Sequence, residues 1–180
     1  VPYVVLMPAF ARDILHGGPH TLGFLMSASG AGALMGAIYL AAQKSILGLG
    51  IIIPLASGIF GAGLVGLPLF PVFWLSILLM TIIGFGVMVQ VASSNTLLQT
   101  IVEDNKRGRV MSFFAVSFMG MAPLGSLMAG TLAGMIGITT TIMFGGICCI
   151  VGAIFFVRKL PLLRSIIRPL YVDKGIIGPD

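Results

Sequence analysis

The chain of 180 residues is 58% hydrophobic and 8% charged, with 25 glycines and a mean hydropathy of +1.13. Soluble domains carry roughly 25% charged residues and about 7% glycine. Ten basic and five acidic side chains are too few to clothe a water-exposed fold of this size. The composition also excludes a disordered chain, a disulfide-stapled secreted domain and a nucleic-acid-binding module, because the net charge of +5 comes from short Lys/Arg clusters and not from a basic face interleaved with aromatics.

The first apolar run spans roughly Val1 to Leu15 and meets Arg12 after eleven residues. Eleven residues at 1.5 Å each cover about half of a ~30 Å hydrocarbon core. Val1 is not an initiator methionine, and the expectation is a spanning helix cut part-way. Complete runs follow at about Thr21–Ala42, Ile46–Gly66, Pro71–Ala92, Val110–Gly134 and Ile138–Val157, each near the ~20 residues a spanning helix needs and none containing Asp, Glu, Lys, Arg or His. Nothing alternates with period two, so a membrane β-barrel is excluded. The predicted fold is all-α: a polytopic membrane helix bundle of five complete spans and one partial one over residues 1–157, with a basic tail over 158–180.

Charge sets the orientation. The links after the second and fourth spans, together with the tail, hold Lys44, Lys106, Arg107, Arg109, Arg158, Lys159, Arg164, Arg168 and Lys174, and the other side holds Arg12 alone. The positive-inside rule therefore places those links and the C-terminus in the cytoplasm. The outer links are short. Pro68 is expected in the turn of one of them, and Pro71 at the start of the fourth span. The tail either lies along the inner membrane surface, where Lys and Arg meet anionic lipid, or continues into further sequence.

Catalytic chemistry finds no support. No His-Glu-x-x-His, Gly-x-Ser-x-Gly or phosphate loop is present, and no span holds a carboxylate. His16 and His20 lie near Asp13 in the first outer link, too few ligands for a metal centre, and they read as an exposed loop. Cys148 and Cys149 are adjacent within an apolar run and read as small apolar fillers. No enzyme activity, catalytic residue or metal site is expected.

Glycine carries more information. Gly50, Pro54, Gly58, Ala62 and Gly66 fall at steps of four in the third span; Ala28, Gly32 and Gly36 do so in the second, and Ser126, Gly130 and Gly134 in the fifth. Such stripes let helix backbones approach closely in lipid, either as static packing or as surfaces that slide and rock. Gly120, Pro123 and Gly125 precede the last stripe and permit a bend. Neutral polar residues at membrane depth include Ser27, Gln90 and Ser117. Gln90 is the leading candidate for a solute contact, with an interhelical hydrogen bond as its other reading. Gly32-Ala33-Leu34-Met35-Gly36 in the second span echoes Gly125-Ser126-Leu127-Met128-Ala129 in the fifth, a pattern seen where three-helix repeats are inverted.

From Asn95-Thr-Leu-Leu-Gln99, through Glu103-Asp104 and Arg107-Gly-Arg-Val-Met-Ser112, to Gly120-Met-Ala-Pro-Leu-Gly125, the chain resembles the C-terminal half of major facilitator superfamily transporters, in the branch that includes the enterobactin exporter and macrolide-efflux-like permeases. The resemblance covers essentially the whole chain. It implies helices seven to twelve of a twelve-helix fold, with spans one, two, four and five lining a substrate path and spans three and six facing lipid. By the same resemblance Gly120, Pro123 and Gly125 form a degenerate glycine–proline motif, and Glu103, Asp104, Arg107 and Arg109 an inner-face charged latch. The link after the second span keeps Gly36 and Lys44 but has Gln43 and no Asp, so a latch there is doubtful. The implied activity is secondary active transport, drug or siderophore efflux by alternating access in the inner (plasma) membrane. The implied partners are a small-molecule substrate, the bilayer and a missing N-terminal six-helix bundle of the same polypeptide. No cofactor is expected, and any proton coupling falls to the missing half. The alternative is a membrane-embedded scaffold or assembly subunit that transports nothing.

Overall fold

The computed structural model describes residues 3–43, 49–103 and 105–173. Their order is α1 (Tyr3–Ala9), a π-helical turn (Phe10–Ile14), α2 (Pro19–Ala41), α3 (Leu49–Leu69), α4 (Phe73–Ile101), α5 (Arg107–Ile136) and α6 (Ile138–Asp173). No strand occurs among the described residues. From α2 to α6 the helices are long and apolar enough to cross a bilayer, so the chain is a multi-pass membrane helix bundle.

The partial first span is a broken helix. Pro8 has no N–H to give to the carbonyl of Val4, and the following turn widens: Leu15 N donates to the Phe10 carbonyl over 3.2 Å. His16 then adopts a left-handed backbone (φ +50°), and Pro19 opens α2 behind Gly18. Between α5 and α6 the turn is a single residue, Gly137, at φ +87°, a conformation that L side chains rarely adopt. The Gly137 carbonyl accepts both Thr141 N (3.1 Å) and Thr141 Oγ1 (2.8 Å), which closes the corner.

Two helices outrun their apolar stretches. The fourth span was expected to stop near Ala92, yet α4 continues to Ile101. The extra turns are polar but satisfied locally: Gln99 Nε2 donates to Asn95 Oδ1 over 2.9 Å, and Thr100 Oγ1 to the Thr96 carbonyl over 2.9 Å. At 29 residues and ~44 Å, α4 is longer than a ~30 Å core, so its polar end extends beyond the hydrocarbon. Similarly, α6 passes Val157 without a break and runs to Asp173. Lys159 turns back over the Phe155 ring, 5.8 Å from its centre. Pro68 lies inside α3 and not in a turn, and Pro71 precedes α4, whose N-cap is Val72.

The packing is uneven. α4 lies between α2 and α3, and α3 also packs along α6. The core joins Leu6, Met7 and Phe10 from the first span to Leu25 of α2, Phe60, Leu64 and Leu67 of α3, and Met80 and Ile83 of α4. α5 touches mainly α1 and α6, and Ala129 is its buried residue. Of the five long helices, α3 is the most enclosed and α5 the most open. α3 is enclosed because it is sandwiched between α4 and α6.

Candidate functional site

Glycine positions set how closely the helices approach. A methyl group added to Gly32 would fall on the Thr81 carbonyl of α4, and one on Gly84 would fall on the Ser29 carbonyl of α2. Gly36 extends this contact one turn further: a methyl group added there would lie 3.0 Å from the Phe85 carbonyl. The α2–α4 crossing is therefore backbone against backbone. On the other face of α4, a methyl group added to Gly86 would lie 2.9 Å from the Ala56 carbonyl, and one added to Gly63 of α3 would lie 2.7 Å from Ile83 Cγ1.

The expected stripe in α3 is only partly used. A methyl group added to Gly66 would lie 3.5 Å from Leu79 Cδ2 and one added to Gly50 would lie 3.4 Å from Leu160 Cδ1, both ordinary contacts, while Gly58 and, on α5, Gly130 face open space. The tight α3 contacts fall on Gly61 and Gly63, outside the step-of-four pattern. A helix held between two neighbours presents two contact lines, and a single stripe captures one of them.

The contacts of Gly32 with Thr81 and Gly36 with Phe85 fix the register of α2 against α4. In that register Ser27 lies level with residues near 76, and Gln90 is at least ten residues further along, ~15 Å at 1.5 Å per residue. The structure therefore does not bring Ser27 and Gln90 together. Gln90 is half-buried beside the fully buried Val89, Ser27 is exposed on α2, and Ser117 is exposed on α5. Two polar links join helices among the described residues: Tyr3 Oη and Ser29 Oγ lie 3.4 Å apart, and Ser57 Oγ donates to the Cys149 carbonyl at 3.5 Å. Ser76 and Ser93 of α4 are fully buried with no hydrogen-bond partner for either hydroxyl, a feature no residue pattern flagged.

Gly120, Pro123 and Gly125 lie on α5, which stays helical through the proline. Gly120 has open space about it, Pro123 is exposed, and Gly125 borders an apolar cavity of about 270 Å³ between α1, α3, α5 and α6. Tyr3, Phe60, Met128, Ile142 and Phe144 line this cavity, with Cys149 at its wall. Such a lining suits the apolar part of a small solute.

At the start of α5, Lys106 Nζ pairs with Glu103 Oε2 at 2.8 Å, both side chains well exposed. Arg107 begins the helix, and Arg109 lines an open groove beside it. Asp104 and Lys44 lie outside the described residues. Among the described residues no group of three His, Cys, Asp or Glu side chains could hold a metal ion. Near the starts of α2 and α4, Phe24, Phe73 and Trp74 form an aromatic chain, with ring centres 6.2 and 5.8 Å apart.

The pattern of the major facilitator family described as "transmembrane secretion effector" matches residues 2–168. The chain belongs to that family. It is also 28% identical over 163 residues to the staphyloferrin A transporter of Staphylococcus aureus (strain NCTC 8325 / PS 47), a match covering 89% of this chain and 41% of that protein. The chain thus spans about two fifths of the length of that curated relative. No solved structure matches.

Proposed function

We propose that the chain forms the C-terminal bundle of a secondary active transporter that exports a small molecule, of drug or siderophore type, by alternating access. The bundle sits in the plasma membrane with the C-terminus in the cytoplasm, and a preceding six-helix bundle completes the path. The observation that carries this reading is the contrast between two parts of the bundle. α2, α4, α3 and α6 are joined through glycines at backbone contact, while α5 leaves Ser117, Gly120 and Pro123 uncovered along one helix. A close-packed slab moves as one body, and an uncovered helix with proline and glycine offers the surface against which a second body rocks. The relative's name supports the class of cargo.

Gln90 and Ser117 serve as neutral polar contacts of the cargo; the coupling acid belongs to the other bundle. The full-length protein in cells lacking other exporters should lower intracellular retention of its substrate, and Gln90→Leu should reduce that export without lowering protein abundance. Full-length protein that assembles normally in the membrane and moves none of a broad panel of drugs and siderophores would favour the scaffold reading instead.

A further inference from the structure

The cavity between α1, α3, α5 and α6 has walls from four helices, and none of its described lining residues is charged. Two hydroxyl side chains reach it, and both are committed elsewhere. Tyr3 Oη lies 3.4 Å from Ser29 Oγ of α2, and Thr141 Oγ1 donates to the Gly137 carbonyl over 2.8 Å. What faces the space is ring, methyl and sulfur. A buried water needs roughly two to four polar partners, and this lining does not supply them. The ends of the cavity follow from its neighbours. Ser57 Oγ reaches the Cys149 carbonyl, and Gly61 opposes Gly146, so α3 and α6 run antiparallel beside it. The Tyr3 and Phe60 ring centres are 5.8 Å apart, which puts Tyr3 at the Cys149 end, with Leu6 one turn further along the wall. A preceding turn of the same helix passes that end without entering the cavity.

We propose that this cavity is a binding site for a neutral fused-ring aromatic molecule. Three observations select that occupant. The first is size: an apolar cavity of about 150 Å³ takes up one benzene ring, and this one, at about 270 Å³, has nearly twice the room. The second is the shape of the wall. Gly125, Ala129 and Gly145 leave α5 and α6 almost bare of side chain there, and a methyl group added at Gly145 would meet nothing within 4 Å. A flat ring fits against such a surface. The third is the chemistry of the remaining lining. Tyr3 and Phe60 form a tilted pair at 59°, Phe144 adds a third ring, and Met128 and Cys149 add sulfur. Tilted ring contacts and sulfur at a ring edge both favour an aromatic guest. A bound ring restores the dispersion contacts that the lining lacks across the void. A charged or strongly polar solute would lose its hydration with no partner in exchange. The site lies within one bundle and stands whether or not the chain transports anything.

The test is a titration of the full-length protein with naphthalene in phosphatidylcholine nanodiscs, read by NMR of carbon-13 methionine methyl groups. Met128 lines the cavity, whereas Met119 and Met135 are exposed on the same helix and serve as controls for naphthalene dissolved in the lipid. Naphthalene should move the Met128 methyl along a saturable curve through its ring current and leave Met119 and Met135 without saturation. Gly145→Leu should abolish the saturable shift by filling the cavity from α6. Leu132→Trp fills it from α5 and should do the same, so the result does not depend on one variant assembling. n-Decane, an alkane of equal carbon count, should compete at least tenfold more weakly. No saturable shift at Met128, equal unsaturated shifts at all three methionines, or persistence of the shift in both filled variants would overturn the proposal. So would equal competition by n-decane, which would make the cavity a slot for lipid chains.

Discussion

Gly61 and Gly146 face each other across the α3–α6 contact: a methyl group added to either would lie 2.7 Å from the other's carbonyl oxygen. The relationship is reciprocal and involves backbone on both sides, so no flexible side chain can yield. Overpacking of a fitted contact costs about 1–3 kcal/mol. Gly61→Ala or Gly146→Ala in the full-length protein should lower the thermal midpoint in detergent by several degrees. Gly145→Ala, next in sequence but facing open space, should leave it within about 0.5 kcal/mol of wild type. Equal effects at 145 and 146 would contradict the packing.

The α2–α4 crossing should be less tolerant still, because Gly32 and Gly84 each oppose a carbonyl of the partner helix. Gly32→Ala and Gly84→Ala are expected to destabilise by amounts that do not add, since the first already forces the two backbones apart. A double variant whose loss equals the sum of the singles would show that the two glycines act at separate contacts. Gly30→Ala, with nothing near, is the control.

Much of this architecture was legible in the apolar runs. All five complete spans appear as helices, and Gly32 and Gly36 were singled out on spacing alone. Three things were not legible, each for a physical reason. The polar turns after Ala92 are helical because Asn95, Thr96, Gln99 and Thr100 satisfy one another, which a hydropathy threshold does not register. Gly61, Gly63, Gly84 and Gly86 escape a single-stripe search because α3 and α4 each touch two neighbours. The depths of Ser27 and Gln90 depend on a helix register that only the crossing defines.

Pro123 sits within an unbroken α5, where a proline costs a helix about 3 kcal/mol relative to alanine. Pro123→Ala is therefore expected to raise thermal stability while slowing transport, because the helix loses its means of bending. Faster transport with higher stability would argue against a bending role for Pro123.

The Glu103–Lys106 pair is exposed on both sides and should contribute less than about 1 kcal/mol, an amount that salt removes. Glu103→Gln should leave the thermal midpoint nearly unchanged. Arg107→Gln together with Arg109→Gln should alter which side of the membrane the path opens to, seen as a changed ratio of inside to outside cysteine labelling. A large loss of stability in Glu103→Gln would mean that the pair is structural.

The most direct measurement uses the full-length protein with Cys148 and Cys149 replaced by Ser and a single Ser117→Cys reporter on the uncovered side of α5. Membrane-impermeant thiol reagents are applied from each side of sealed vesicles, with and without substrate. Alternating access gives labelling from both sides, with a ratio that shifts when substrate is added. Labelling from one side only, at a rate substrate does not change, would contradict a rocking bundle and leave α5 as a static docking surface.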